Sequence, residues 1–244
     1  IEAIVAKSDA IMIARGDLGV EIPTEDVPGR QKDIIALCRR ECRPVIVATQ
    51  MLESMTASPT PTRAEASDVA TAIYDGADAV MLSAESATGS FPAETVEVMD
   101  LIIRRTEAHN AYARSIAATR EPATDPADAI ADTGATLACA LGARCLVAYS
   151  MSGATAHRVA ARRPALPLIV VTRDIRVSRR MALLWGARSV LETAELDYDS
   201  MVSMACEESA KLIEAAIGEK FVILAGVPFG QTGSTNNIRV ATYR

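Results

Sequence analysis

The chain has 244 residues, with 25 Lys and Arg against 31 Asp and Glu for a formal charge of −6, and is 50% hydrophobic but 4% aromatic. That apolar fraction excludes an intrinsically disordered chain, and 13 glycines and 11 prolines exclude a collagen-like one. No apolar run approaches the roughly 18 residues of a membrane helix, and the acidic balance, with no Lys/Arg stripe, excludes a dedicated nucleic-acid binder.

The opening segment IEAIVAKSDA reads as a helix or strand, with no initiator Met and no signal sequence, so the chain is expected to be a piece of a longer one. Three short β-rich runs follow, at 11–14, 45–48 and 79–82. They lack polar alternation, as strands of a parallel sheet buried on both faces do. Each leads through a polar loop into a helical pattern. Val27, Ile34, Ile35, Cys38 and Cys42 share one helix face, and Ala66, Val69, Ala70, Ile73 and Ala77 share another. Val96, Met99, Ile102, Ile103 and Thr106 share a third. The second helix opens on a capping box, Thr62 with Glu65, and stops at Gly76.

Polar, proline-bearing residues 121–125 read as a linker between a domain at 1–120 and a second at 126–244. Asp125 and Pro126 start a new helix that buries Ile130, Leu137 and Leu141. Strands are predicted at 145–149, 168–171, 189–191 and 221–225, with an alternating edge strand at 237–243. Helices are predicted at 154–162, 177–185 and 198–217.

Ligands of parallel α/β folds gather at the carboxyl ends of strands. The residues there are Arg15, Gly16 and Asp17 after the first run, Thr49 after the second, and Ser83 with Glu85 after the third. A strand-end carboxylate suits a hard cation such as Mg²⁺, and glycine lets backbone N–H groups approach an anion. Each residue also has a structural reading: Asp17 as a helix cap, Thr49 bonded to backbone, Glu85 solvated. Their coincidence on three consecutive strand ends favours a site. Arg15-Gly16-Asp17 spells an adhesion tripeptide, but it leaves a buried strand rather than tipping a loop. A nucleotide-binding Rossmann unit is excluded by the lack of G-x-G-x-x-G and Walker A patterns.

The segments IMIARGDLGVEIP, PVIVATQMLESM, PTRAEASDVATAIYDGADAVMLSAESATGSFP and GVPFGQTGSTNNIRV resemble pyruvate kinase. The resemblance runs from Ile1 to Arg244 but covers only the rear part of that family's chain. It implies the last three β/α units of a TIM barrel followed by a separate three-layer α/β regulatory domain. The implied reaction is phosphoryl transfer from phosphoenolpyruvate to ADP, giving pyruvate and ATP, with Mg²⁺ (or Mn²⁺) and K⁺. By resemblance Asp17 is a Mg²⁺ ligand, backbone at Gly16 and Asp17 contacts the substrate carboxylate, and Arg15 supports the motif. Thr49 lies beside the carboxylate and the enolate face, and Ser83 and Glu85 protonate the enolate through water. The family's phosphoryl-binding lysine, its second Mg²⁺ carboxylate and its K⁺ ligands lie upstream of Ile1, and Lys7 is no substitute. Residues 1–244 alone are therefore expected to be inactive, and a standalone regulatory module that has lost catalysis is the alternative. The resemblance further implies a cytoplasmic homotetramer, with the helix at 62–70 at one contact, and no nucleic acid or membrane as partner.

Ser150, Ser152, Gly153 and Thr155 cluster hydroxyls and a glycine at a helix start, an anion-binding arrangement, though such residues cap helices generally. They resemble the loop where many pyruvate kinases hold an effector phosphate, and Gly233, Ser234 and Thr235 resemble that pocket's second loop. Many relatives have Arg or Lys where this chain has Ala154, so a sugar or nucleotide monophosphate is expected rather than fructose bisphosphate. Cys38, Cys42, Cys139, Cys145 and Cys206 are expected to be reduced, packed thiols. His157 is expected to be partly exposed and Trp185 to pack. His109 has no partner pattern. The arginines at 162, 163, 173, 176, 179 and 180 are expected to form a solvated face and subunit contacts.

Overall fold

The computed structural model describes residues 1–123, 125–195, 197–229 and 235–244. They form two compact units, Ile1–Arg120 and Glu121–Arg244.

The first unit runs α1 (Glu2–Lys7), β1 (Ile11–Ala14), α2 (Arg15–Glu21), α3 (Val27–Arg40), β2 (Val45–Ala48), α4 (Arg63–Asp75), β3 (Ala79–Val80), α5 (Ala84–Ala87), α6 (Pro92–Glu107) and α7 (Asn110–Ala118). The strands form a parallel sheet in the order β1-β2-β3, with Ile11 opposite Val45 and Ile46 opposite Ala79. Ile13, Val45 and Val47 pack on Ile35 and Cys38 of α3, Val69 and Ala72 of α4, and Met99 of α6. The capping box at Thr62 and Glu65 is formed, and Gly76 ends α4 in the left-handed region at φ 94°.

Several elements differ from the sequence reading. Only Ala79 and Val80 form β3, although the Met81 N–H still donates to Val47 O. Val96 is exposed, and α6 buries Thr95 beside Met99 and Thr106 instead. α7 was not anticipated: His109 caps it by accepting from Ala111 N–H, and Tyr112 and Ile116 pack on Ile73 of α4. Arg15–Glu21 is helical despite two glycines, each costing about 1 kcal/mol in a helix.

The second unit runs α8 (Pro126–Ala140), β4 (Cys145–Tyr149), α9 (Ala154–Ala161), β5 (Leu168–Thr172), α10 (Ile175–Arg180), β6 (Ala187–Leu191), α11 (Tyr198–Ile213), β7 (Lys220–Ala225) and β8 (Asn237–Thr242). Its sheet has the order β6-β5-β4-β7-β8, all parallel except β8. Alternate strand residues face opposite layers. Leu146, Ala148, Leu168, Val170, Val222 and Leu224 meet α8, α9 and α10, while Val147, Ile169, Val171, Phe221 and Ile223 meet α11.

Asp125 caps α8 and Pro126 opens it, but its buried stripe is small: Ala127, Ala131, Gly134, Ala135 and Ala138. Ile130, Leu137 and Leu141 only flank this stripe. The small residues let α8 lie close on the sheet, and a Cβ on Gly134 would come within 2.8 Å of Leu224.

Cys38, Cys145 and Cys206 are buried, but Cys42 is half-buried and Cys139 exposed. Burial pushes the Cys38 thiol up to about 11 and the Cys145 thiol up to about 12, which makes them packing groups rather than nucleophiles. Of the six arginines, Arg176, Arg179 and Arg180 are exposed. Arg162 pairs with Asp132 and Arg173 with Glu195, while buried Arg163 lies 5.5 Å over the Trp185 ring. His157 is half-buried. No helix among the described residues is long and apolar enough to cross a membrane.

Candidate active site

Three strand ends meet in the first unit because β1, β2 and β3 are parallel neighbours. The chain leaves β1 directly into α2, placing Asp17 in the first turn of that helix. It leaves β2 through Thr49 and Gln50, both left-handed, at φ 67° and 53°. A β-branched residue there is strained, at a cost of roughly 1–3 kcal/mol. The strain is held by its surroundings. Met51, Leu52 and Met55 are completely buried just beyond the turn.

Arg15 is the principal clamp. Its Nε donates to Ala48 O at 3.2 Å, and its Nη2 donates to Thr49 O at 2.6 Å and to Met51 Sδ at 2.9 Å. Its Nη1 pairs with Asp68 of α4 at 2.6 Å. The Thr49 hydroxyl donates to Ala48 O at 2.7 Å and accepts the Gly16 N–H at 3.0 Å. Gly16 and Thr49 are thus bonded to each other, which ties the start of α2 to the turn after β2. The Asp17 side chain is exposed and makes no hydrogen bond or ion pair among the described residues.

Glu85 is not solvated: its side chain is almost fully buried. A buried carboxylate needs donors. Glu85 accepts Ser83 N–H at 2.7 Å and Leu52 N–H at 3.3 Å, and so ties the loop after β2 to the loop after β3. Ser83 is exposed at the strand end. The sequence-predicted residues Arg15, Gly16, Asp17, Thr49, Ser83 and Glu85 therefore lie on the three segments that follow adjoining strands, with Gly16 bonded to Thr49 and Glu85 bonded to Leu52 and Ser83.

Sequence reasoning missed two supporting residues, Asp68 and Gly89, and the second role of Glu65. Glu65 does more than cap α4, since it also accepts Ser54 N–H at 2.7 Å and Ser54 Oγ at 2.5 Å. Partial burial opposes its charge, but the donors from Ser54 and Thr62 outweigh this and hold it below the ordinary glutamate range. Asp68, one turn further on, holds Arg15. Gly89 lets the α5 turn fold on itself, for a Cβ there would meet Glu85 O at 2.4 Å and the Thr56 Cα at 3.2 Å. The position of Asp68 three residues after Glu65 was the one available signal, because i and i+3 share a helix face.

As a metal site the donor chemistry fits one oxygen ligand of a hard cation, supplied by Asp17. No group of three His, Cys, Asp or Glu suited to a metal occurs among the described residues.

In the second unit the strand order reverses at β4, which lies between β5 and β7. Crevices at such switch points are where open α/β sheets take ligands. The loop after β4 holds Ser150 to Gly153, with Gly153 left-handed at φ 85° as the N-cap of α9. Ser152 Oγ accepts the Ala154 N–H at 3.4 Å. Thr155 and Thr235, both buried, share a hydroxyl hydrogen bond of 2.6 Å. Gly233 and Ser234 lie outside the described residues.

Residues 1–96 match the family model described as pyruvate kinase, barrel domain, and residues 128–241 match pyruvate kinase, alpha/beta domain. The chain is 54% identical over 242 residues to a pyruvate kinase of Agrobacterium vitis, covering 98% of this chain and 51% of that protein. It is 46% identical to one of Methylorubrum extorquens, covering 99% and 51%, and 45% identical to one of Geobacillus stearothermophilus, covering 98% and 41%. The chain spans about half the length of the curated relatives it matches.

Proposed function

The chain belongs to the pyruvate kinase family, and from that premise we propose that its protein transfers the phosphoryl group of phosphoenolpyruvate to ADP, giving pyruvate and ATP in glycolysis. The observation that carries this reading is the bonded convergence of Gly16, Thr49, Ser83 and Glu85, with Asp17, at three parallel strand ends. Residues 1–120 are then the rear part of a (β/α)₈ barrel. In support, β1 is a sheet edge with Met12 53% exposed beside an apolar cleft lined by Ile1, Ile4 and Leu18, a surface suited to covering by further strands.

Phosphoryl transfer is chiefly positioning and charge neutralisation. Backbone at Gly16 and Asp17 receives the substrate carboxylate, and Thr49 lies beside it and the enolate. Asp17 supplies one ligand to Mg²⁺ (or Mn²⁺), which when bound neutralises charge on the transferring group. The P–O bond to the enolate oxygen breaks as one to the terminal phosphate of ADP forms. Ser83 with Glu85 then delivers a proton through water to the enolate carbon. The requirement for K⁺ is carried over from the family. We place the enzyme in the cytoplasm as a homotetramer with α4 at one contact.

Coupling pyruvate formation to NADH oxidation tests the reaction. The full gene product is expected to turn over phosphoenolpyruvate and ADP only with Mg²⁺, and residues 1–244 alone to remain at background. Absence of pyruvate from the full product overturns the reading and leaves the regulatory-module alternative.

The second unit is proposed to bind an effector phosphate at Ser150, Ser152, Gly153, Thr155 and Thr235, with Gly233 and Ser234. The switch-point position and the Thr155–Thr235 pair support this. A sugar or nucleoside monophosphate at 100 times its Kd is expected to stabilise the protein by about 2.7 kcal/mol, read as a rise in Tm. A large rise with fructose bisphosphate alone overturns it.

A further inference from the structure

We propose that Asp68 is a positioning residue for the phosphoryl-transfer site, acting through Arg15 to hold the left-handed Thr49 turn in place beside Gly16. The proposal rests on the reaction assigned above. Its basis is a chain of contacts joining residues 53 positions apart. Asp68 receives Arg15 Nη1 at 2.6 Å, and the opposite side of the same guanidinium donates to Thr49 O at 2.6 Å and Ala48 O at 3.2 Å. Those two carbonyls flank the left-handed Thr49, whose hydroxyl accepts Gly16 N–H at 3.0 Å.

The planar guanidinium makes this arrangement directional. With Nη1 anchored on the carboxylate, Nε and Nη2 are aimed at the turn. Without that anchor Arg15 is held from the turn side alone, and the donors that stabilise the carbonyls of the strained turn are less firmly placed. Arg15 and Asp68 are 14% and 34% exposed, and an asparagine in place of Asp68 keeps the shape and one acceptor oxygen for Nη1, so the anchor weakens without a buried donor being left unpaired. The loss therefore falls on geometry rather than on folding. Misplacing a reacting group by about 1 Å costs on the order of 100-fold in rate.

The test uses Asp68→Asn and Asp68→Glu in the full gene product, with kinetics and hydrogen exchange at the Gly16 amide. Asp68→Asn is expected to lower kcat by roughly 30- to 100-fold, to leave KM for phosphoenolpyruvate within about 3-fold, and to keep Tm near the parent value. Exchange at Gly16 is expected to speed by at least about 10-fold, since its acceptor is no longer held. Asp68→Glu is expected to restore part of both. Unchanged kcat with unchanged Gly16 protection overturns the proposal, as does a loss of kcat that merely tracks a fall in Tm. The exchange measurement needs no catalysis: if the parent protein makes no pyruvate, the proposed reaction fails, and preserved Gly16 protection in Asp68→Asn separately overturns the positioning role.

Discussion

Gly89→Ala is expected to destabilise the first unit by about 3 kcal/mol and to remove most activity, an effect far larger than a single methyl group suggests. The added Cβ would lie 2.4 Å from Glu85 O and 3.2 Å from the Thr56 Cα, both backbone atoms that cannot rotate away. The turn also closes through Gly89 N–H to Ala84 O at 2.8 Å and Ser90 N–H to Thr56 O at 2.9 Å. Relief of the clash must move Glu85, which holds Ser83 and Leu52. Thermal unfolding followed by circular dichroism reads the stability, with an expected fall of roughly 8 °C in Tm. Gly29→Ala is the matched control, because nothing lies within 4 Å of its Cβ position in α3. Replacing a helical glycine there is expected to be neutral or to stabilise by up to about 1 kcal/mol. Equal Tm values for the two variants would show that the close approach at Gly89 is not what holds this turn.

Asp17→Asn has the largest expected effect on chemistry with the least effect on folding. The Asp17 side chain is exposed and makes no hydrogen bond or ion pair among the described residues, so a same-shaped amide disturbs no packing. It removes the charge proposed to help hold Mg²⁺, and kcat is expected to fall about 1000-fold, with a higher Mg²⁺ concentration at half-saturation. Mg²⁺ titrations of steady-state turnover make the measurement. Parent-like kcat and Mg²⁺ dependence would rule out Asp17 as a ligand and return it to a helix-start role on α2.

The two variants separate the two kinds of residue that make the rim. Asp17 was visible as a carboxylate at a strand end, a position that parallel sheets reserve for ligands. Gly89 was not, because a glycine in the run SAESATGSFP reads as an ordinary turn until the folded backbone shows what a Cβ would strike. Glu85 is an intermediate case. Its place at the strand end was legible, but its burial and its hold on Leu52 depend on a loop 33 residues earlier. Thr49 was picked out as a hydroxyl, while its left-handed backbone had no sequence signal, since a β-branched residue is a poor candidate for that region.

Local chemistry in the sequence determined the parallel strands β1, β2, β4, β5 and β7, the capping box of α4, its stop at Gly76, and the Asp125-Pro126 start of α8. Each depends on side-chain period or on groups within four residues, so the information lies in one short window. Motif likeness carried the family. Tertiary structure alone decided that α7 forms, that Cys139 and Val96 face solvent, and that the glycine-bearing segment Arg15–Glu21 is helical. It also decided that Asp68 reaches Arg15. These outcomes rest on contacts between segments tens of residues apart, where the packing partner, rather than local preference, sets which conformation has the lower free energy.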